Sequence, residues 1–563
     1  MSKFSLLYPE NAVYSSKTLT QEAMNDLSID FILNALTNDS YEKTCILKVM
    51  SEITDSKEVI EYRRDIFDDF YRLPELREGL TKLFQKLSEL RDLTRFQKDE
   101  EASFLWQLVN RLREVDEYIK CITEMKKTLS GIMVKSAGML RLKSILSKIE
   151  EESGFDELKA DIKEIYAKIG KVKSVTVGVN LDDMLRPREA GIVSLNDKEF
   201  TKSGIMKRFL SLADSKDDLR HGVEGVEKIT KFHPSNALDS DALGKLQQTA
   251  KMGVSIENIG VTGSDPLSDS LKKSVTDILR RTVFEIRETL KKHVGVSGYA
   301  LVSLMPEIVF YIRWAELFHK IADKNIPICK PEIAEDNSGS SFEGIYNLKL
   351  AIKKANGEDI EIVDNDIEFN KDMAVYIMTG PNRGGKTTFT QAVGLSFLLA
   401  QNGLYVTAKK ATVWPSDNIY THFPADENNT VDLGRLGEEA KRLAEIFDQA
   451  TNKSILLLNE SFATTNVSEG LSIAKDVIKA MCYLGVRSVF NTHMHDLARN
   501  LNLINEDEET KSKAASLVTG ISDGKRSYKV SLAPPQGISY AKDIAKQYGV
   551  SFEQIKNAID SKK

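Results

Sequence analysis

Through the first 170 residues, apolar positions recur three and four apart between charged ones, the pattern of helices that bury one face. Leu83, Leu87 and Leu90 in the run LFQKLSELRDL are an example, and glycine is rare across the same stretch. The pattern predicts an almost wholly helical block over 1–170, built for packing and without a catalytic constellation. The period then changes. Val175, Val177, Val179 and Leu181 alternate with smaller or polar residues in a β-branched run, which predicts a strand. Glycine, proline and Asn-Asp signals follow, so 171–260 reads as a smaller, irregular insertion with some β-structure. Helical spacing returns at Leu271, Val275, Ile278, Leu279, Val283, Ile286 and Leu290. That predicts a helix from about Asp269 to His293, and a second, apolar around much of its surface, near Glu307–Asp323. Together they make 261–335 a second helical part. After a break at Asn325–Pro331, short apolar runs alternate with helical ones, which predicts an α/β domain over 340–563.

Composition narrows the class. A chain of 563 residues holds roughly three or four domains. Its 41% apolar and 28% charged residues are those of a water-soluble globular protein. Cys45, Cys121, Cys329 and Cys482 are far apart and form no C-x-x-C pair, which argues for a reducing, cytoplasmic location and against a disulfide frame or a cysteine zinc site. The first residues show no secretory pattern, and no run approaches about 18 consecutive apolar residues, so no membrane span is expected. The net charge of −6 neither announces nor excludes a nucleic-acid partner, because binding depends on local patches.

The chemistry concentrates in the α/β part. Thr379–Thr388 reads TGPNRGGKTT, with the spacing G-x-x-x-x-G-K-[ST]. An apolar run, Ala374–Met378, precedes it, and a helical run to about Gln401 comes after it. In that context Gly380, Pro381, Asn382, Arg383, Gly384, Gly385, Lys386, Thr387 and Thr388 form a candidate phosphate loop. Its backbone N–H groups would face a triphosphate, with Lys386 on the β- and γ-phosphates and the Thr387 hydroxyl on Mg²⁺. A second strand, Ile455–Leu458, ends in Asn459 and Glu460. Asn459 stands where such strands usually place an aspartate for the Mg²⁺ shell, and Glu460 is placed to act as general base on water. A third strand, Arg487–Phe490, leads into Asn491-Thr492-His493-Met494-His495, where His493 is a candidate γ-phosphate sensor. A strand would put His493 and His495 on one face, but no further ligand stands nearby at metal spacing except Asp496.

These motifs resemble the ATPase domain of the MutS family, the DNA mismatch-repair ATPases of the ABC class. TGPNRGGKTT, LLLNES and FNTHMHDL are similar to that family's TGPN-x-x-GK-[ST], LLLDE and F-x-THYHEL. Val363–Ile367, Asn402–Ala408, Ser416–Thr421 and Ser539–Ala541 resemble further family segments in order, so the likeness covers about 345–560. More weakly, Glu61–Phe67 and Met305–Tyr311 resemble its lever and core helices. The resemblance implies a multidomain protein: a helical lever/core domain with a small mixed insertion where the family carries its DNA clamp, then an α/β P-loop ATPase domain of ABC type. It implies ATP and Mg²⁺ as ligands, DNA as partner, and a homodimer whose ATP sites are completed in trans.

Departures from the family pattern limit what the likeness implies. The lever-like helices begin almost at once, without a counterpart of the mismatch-reading domain, so mismatch specificity is not implied. Phe155-Asp156-Glu157 fits the bare Phe-x-Glu wedge pattern but sits in a charged helical context and reads as surface. Asn459 removes one negative charge from the Mg²⁺ shell, which predicts weaker Mg²⁺ binding and slower hydrolysis. The trans-acting segment is Gly434–Ala440, where Gly434 replaces the usual serine; Gly434 and Gly437 offer backbone N–H groups, and Arg435 either reaches across the dimer or starts a solvated helix. Lys171, Lys173, Lys202, Lys207 and Arg208 form a basic group in the insertion that could contact phosphates but reads first as a solvated face. The alternative to a DNA clamp is an ATP-gated module acting on a protein or RNA assembly such as the ribosome.

Overall fold

The computed structural model describes residues 4–96, 104–151, 153–169, 174–181, 183–184, 187–196, 198, 228–231, 280–293, 298–335, 339–424, 434–462, 467–522, 525–535 and 549–561. Two compact units divide it. One comprises 1–84, 128–144 and 303–563, the other 85–127 and 145–302. No described helix is long and apolar enough to cross a membrane.

The first part is helical apart from a short antiparallel pair, β1 (Ser16–Thr18) with β2 (Glu52–Thr54). Helix α1 (Lys57–Arg72) starts on Ser56, whose side chain accepts from the Val59 N–H, and it buries Val59, Ile60, Ile66, Phe67 and Phe70. Helix α2 (Pro74–Phe96) carries the predicted apolar stripe: Leu83, Leu87 and Leu90 are all buried.

In the second unit, helix α3 (Ser153–Ile169) contains Phe155-Asp156-Glu157. Asp156 and Glu157 face solvent, but Phe155 is buried, with the Lys159 ammonium 4.5 Å over its ring. The surface expectation therefore fails for the aromatic, which lies on the same helix face as buried Leu158 and Ile162. Strands β3 (Ser174–Leu181), β4 (Pro187–Asn196) and β5 (Lys228–Lys231) form an antiparallel sheet in that order, with the period-two run as β3. On helix α4 (Arg280–Lys292), Ile286 and Leu290 are buried. Leu271 to Leu279 and the basic residues Lys171, Lys173, Lys202, Lys207 and Arg208 lie outside the described residues.

Helix α5 (Met305–Ala322) buries residues around most of its circumference, including Trp314, Tyr311 and Phe318. Ten strands come after it: β6 (Glu332–Ile333), β7 (Ser340–Ile345), β8 (Asn365–Phe369), β9 (Met373–Thr379), β10 (Lys410–Val413), β11 (Ile419–His422), β12 (Ile455–Asn459), β13 (Arg487–Asn491), β14 (Lys513–Ser522) and β15 (Lys525–Leu532). They make two mixed sheets, ordered β6-β10-β7-β8 and β11-β12-β13-β9-β14-β15. In the larger sheet every pairing is parallel except β14 with β15. Strands β9 and β12 are apolar runs up to their last residue because helices cover both faces. Val375, Ile377, Leu456, Leu458 and Phe490 pack toward helix α8 (Val467–Leu484) through Ile478, Met481 and Cys482. Leu457 points the other way, close to Gly394 of helix α6 (Lys386–Gln401).

The N-terminal segments of this unit are fastened to the end of α6 and the turn after it. Gly403 has φ 73°, and a Cβ there would lie 2.3 Å from the Arg63 Cβ of α1, so only glycine permits the approach. The amide of Gln401 donates to Thr54 O at 2.9 Å and Ser416 O at 2.6 Å. Aligned pairs set the depth of the sheet's carboxyl edge: Asn459 lies opposite Asn491, and Asn491 opposite Met378. Three adjacent parallel strands thus end side by side, the place where open α/β sheets hold ligands.

Candidate functional site

Strand β9 runs into Gly380–Gly385, and α6 begins at Lys386. The loop's glycines are required by crowding. A Cβ on Gly380, at φ 147°, would lie 2.0 Å from Thr519 Oγ1 of β14, and one on Gly384 would lie 2.9 Å from the same atom and 2.8 Å from Pro381 O. Gly385 enters the helix at φ 89°, and Arg383 holds φ 59° without being glycine, which costs about 1–2 kcal/mol. Asn382 and Arg383 face solvent, whereas Pro381 and Gly384 are buried.

Lys386 is buried at 5% exposure, and its ammonium donates to Gly380 O at 3.2 Å and Pro381 O at 3.3 Å. Burial pulls its pKa below the ordinary lysine value, against the opposing pull of the Glu460 charge. One residue on, the Thr387 hydroxyl donates to Asn459 Oδ1 at 3.0 Å, and Asn491 Nδ2 donates to that same oxygen at 2.9 Å. Two neutral oxygens from different elements thus meet at the strand end. Their chemistry fits Mg²⁺, which takes oxygen ligands and keeps several waters.

Glu460 comes directly after β12 with φ 55°, and its N–H donates to Asn491 O at 2.9 Å. Its Oε1 lies 2.8 Å from Nε2 of His493. His493 is in the loop after β13 and is 43% exposed, and helix α9 (His495–Arg499) starts at His495. The two histidines therefore do not share a strand face, and among the described residues no group of three or more His, Cys, Asp or Glu could hold a metal. Burial, then the charges of Arg499, His493 and Lys386, depress the His495 pKa.

The turn after Glu460 is unusual. Phe462, fully buried, also sits at φ 62°, so two of three consecutive non-glycine residues are left-handed. Such residues persist only where the surroundings over-determine them. Here Phe462 N donates to Glu439 Oε2 at 2.8 Å, and Ser461 Oγ lies 2.6 Å from Nδ1 of buried His422. Burial, helped by the Arg442 charge, pushes the His422 pKa down to about 4. Glu439 belongs to helix α7 (Gly434–Gln449), whose first turn contains Gly434 and Gly437. The Arg435 side chain lies outside the described residues, as do Ser539, Tyr540 and Ala541.

A cavity of about 940 Å³ opens in front of these groups. Asn382 to Phe389, Glu460 and His493 line it, with Tyr346, Asn347, Val363, Asn365 and Tyr528 on the remaining walls. Asn347 Nδ2 donates to Thr388 O at 2.8 Å, and Asn365 holds the Tyr528 segment through Tyr528 O at 3.2 Å and Val530 N at 2.7 Å. The structure thus brings the loop, Asn459, Glu460 and His493 together. It adds Asn491, Thr519 and Tyr528, which no sequence motif singles out as site residues. A polar residue closing the strand Arg487–Phe490 is a usable signal for Asn491. Thr519 and Tyr528 carry no local signal.

Comparison with known proteins agrees with this architecture. Residues 376–561 match the model of MutS domain V, and residues 55–324 match that of the MutS2 N-terminal domain. The DNA mismatch repair protein MutS of Chlorobium phaeobacteroides is 32% identical over 261 residues, covering 44% of this chain and 29% of the relative. That of Acetivibrio thermocellus is 23% identical over 416 residues, 68% of this chain and 46% of the relative. That of Alkaliphilus oremlandii is 32% identical over 196 residues, 33% of this chain and 22% of the relative. The chain spans less than half the length of each of these curated relatives. With two family models matching successive parts of the sequence and such relatives, the chain belongs to the MutS family.

Proposed function

We propose that the protein is an ATP-hydrolysing, DNA-binding member of this family, in which nucleotide opens and closes a dimer around a DNA structure. One observation carries the reading: Lys386, Thr387, Glu460 and His493 line one cavity at the ends of three adjacent parallel strands, and Asn459 stands directly behind Thr387 as its hydrogen-bond acceptor. A volume of about 940 Å³ suits a nucleoside triphosphate. The loop and the N-terminus of α6 present backbone N–H groups to an anion. Lys386 exchanges its two loop carbonyls for the β- and γ-phosphates. Thr387 and Asn459 would hold Mg²⁺, which neutralises phosphate oxygens as charge develops. Glu460, oriented by His493, takes the proton of the attacking water, and the exposed imidazole of His493 is within the same cavity to meet the γ-phosphate. A second copy would close the site with its Gly434, Arg435 and Gly437 segment.

The missing charge at Asn459 has a measurable consequence. Asn459→Asp keeps an oxygen for both donors, Thr387 and Asn491, so the local fold tolerates it. The variant should reach half-maximal ATPase at a several-fold lower Mg²⁺ concentration than wild type, because charge count tunes cation affinity. An unchanged Mg²⁺ titration would remove Asn459 from the metal shell.

DNA as partner is tested by binding to duplex DNA, branched DNA and structured RNA across a salt series, with and without a non-hydrolysable ATP analogue. Salt-sensitive binding that prefers DNA and tightens with the analogue supports the reading. Absence of affinity for any DNA overturns it, and an RNA preference would assign the protein to an RNA assembly instead.

A further inference from the structure

We propose that Glu439 is a positioning residue: with His422 it ties helix α7 to the turn bearing Glu460, so that the placement of this helix sets the aim of the Glu460 carboxylate. The inference rests on the proposed role of Glu460 as general base. It adds residues outside the nucleotide cavity, since neither Glu439 nor His422 is among the groups that line it.

The contacts form a closed ring. Glu439 accepts through Oε2 from Phe462 N at 2.8 Å and through its main-chain oxygen from His422 Nε2 at 3.1 Å. A carbonyl oxygen can only accept, so Nε2 carries the imidazole proton. Buried and neutral, His422 then offers Nδ1 as an acceptor, and the Ser461 hydroxyl at 2.6 Å is its donor. Ser461 and Phe462 are joined by a peptide bond, which closes the ring. The His422 and Phe462 rings stack across it with centroids 6.1 Å apart.

This ring holds a turn whose backbone would not choose its shape unaided. Glu460 at φ 55° and Phe462 at φ 62° flank Ser461, and each end of the turn is pinned by a different element. Glu460 N is held by Asn491 O of β13, while Phe462 N is held by α7. A displacement of α7 therefore acts on Phe462 directly and on Ser461 through His422, while the residue at the other end, Glu460, is held by β13. Gly434 and Gly437, the segment proposed to face a second copy, lie within the preceding turn and a half of the same helix. Contact made there would be felt at the carboxylate through Glu439.

The test uses the full chain with Glu439→Ala, Glu439→Gln and Glu460→Gln, reading kcat, the Kd of a fluorescent ATP analogue, melting temperature and the ring resonances of His493. Glu439→Ala should lower kcat roughly 10- to 100-fold and leave nucleotide Kd within about twofold, because misaim costs rate and not ground-state binding. Glu439→Gln, which retains an acceptor for Phe462 N, should recover most of the rate. An unchanged kcat in Glu439→Ala overturns the proposal, as does a parallel fall of kcat, affinity and melting temperature that glutamine does not rescue. If Glu460→Gln turns over like wild type, the role of Glu460 as base fails by itself. The His493 resonances then decide: a shift in Glu439→Ala like that in Glu460→Gln supports the coupling, and unmoved resonances overturn it.

Discussion

Glu460→Gln is expected to lower ATP turnover by roughly 10²- to 10⁴-fold while nucleotide binding stays within about twofold. Glutamine keeps the size and the backbone of glutamate, so the turn fixed by Asn491 O and Glu439 survives. What disappears is the basic oxygen. His493 Nε2, 2.8 Å from Oε1, still finds an amide oxygen to donate to, so the imidazole keeps its place. The phosphate loop and Lys386 are untouched, which separates loss of chemistry from loss of binding. Single-turnover hydrolysis beside equilibrium nucleotide binding makes the measurement. Full turnover in the variant would show that water is activated elsewhere.

Lys386→Ala should behave in the opposite way, losing ATP affinity on the order of 100-fold, or about 2.7 kcal/mol. Its stability should not fall with it. The ammonium is buried, its pKa is depressed by that burial, and it donates to two loop carbonyls. Holding a charge there is a cost that ligand binding relieves, so removing it leaves the melting temperature unchanged or raised. A variant that melts markedly lower and still binds ATP would assign Lys386 to structure. Mixing this variant with wild type also tests the dimer: if two copies share each site, added variant chains lower the specific activity of wild-type chains. If they do not, completion of the site in trans is wrong.

The parts of the molecule legible in the sequence are those encoded by local pattern. Ala374–Met378 and Ile455–Leu458 read as buried strands because central parallel strands are apolar on both faces, and with Arg487–Phe490 they form the middle of the larger sheet. The helical spacing of Leu83, Leu87 and Leu90 likewise identifies a buried face. Pattern fails where a distant residue decides. Phe155 looks exposed among its charged neighbours, yet a single aromatic on the inner side of α3 is enough to bury it. Thr519 explains why Gly380 and Gly384 must lack side chains, but it arrives from a strand more than a hundred residues later. His493 and His495 share strand parity on paper, and that parity ends where β13 ends, at Asn491.

Phe462 has a consequence for how this protein can change over generations. A glycine at that position would adopt φ 62° without steric cost. It would also delete a fully buried aromatic ring from the cluster of Val375, Leu458, Ile478 and Phe490. Relief of the backbone and retention of the core cannot be had in the same substitution. Any smaller residue there trades packing for backbone relief, so retuning the neighbouring carboxylate without loss of core falls to the residues around the turn.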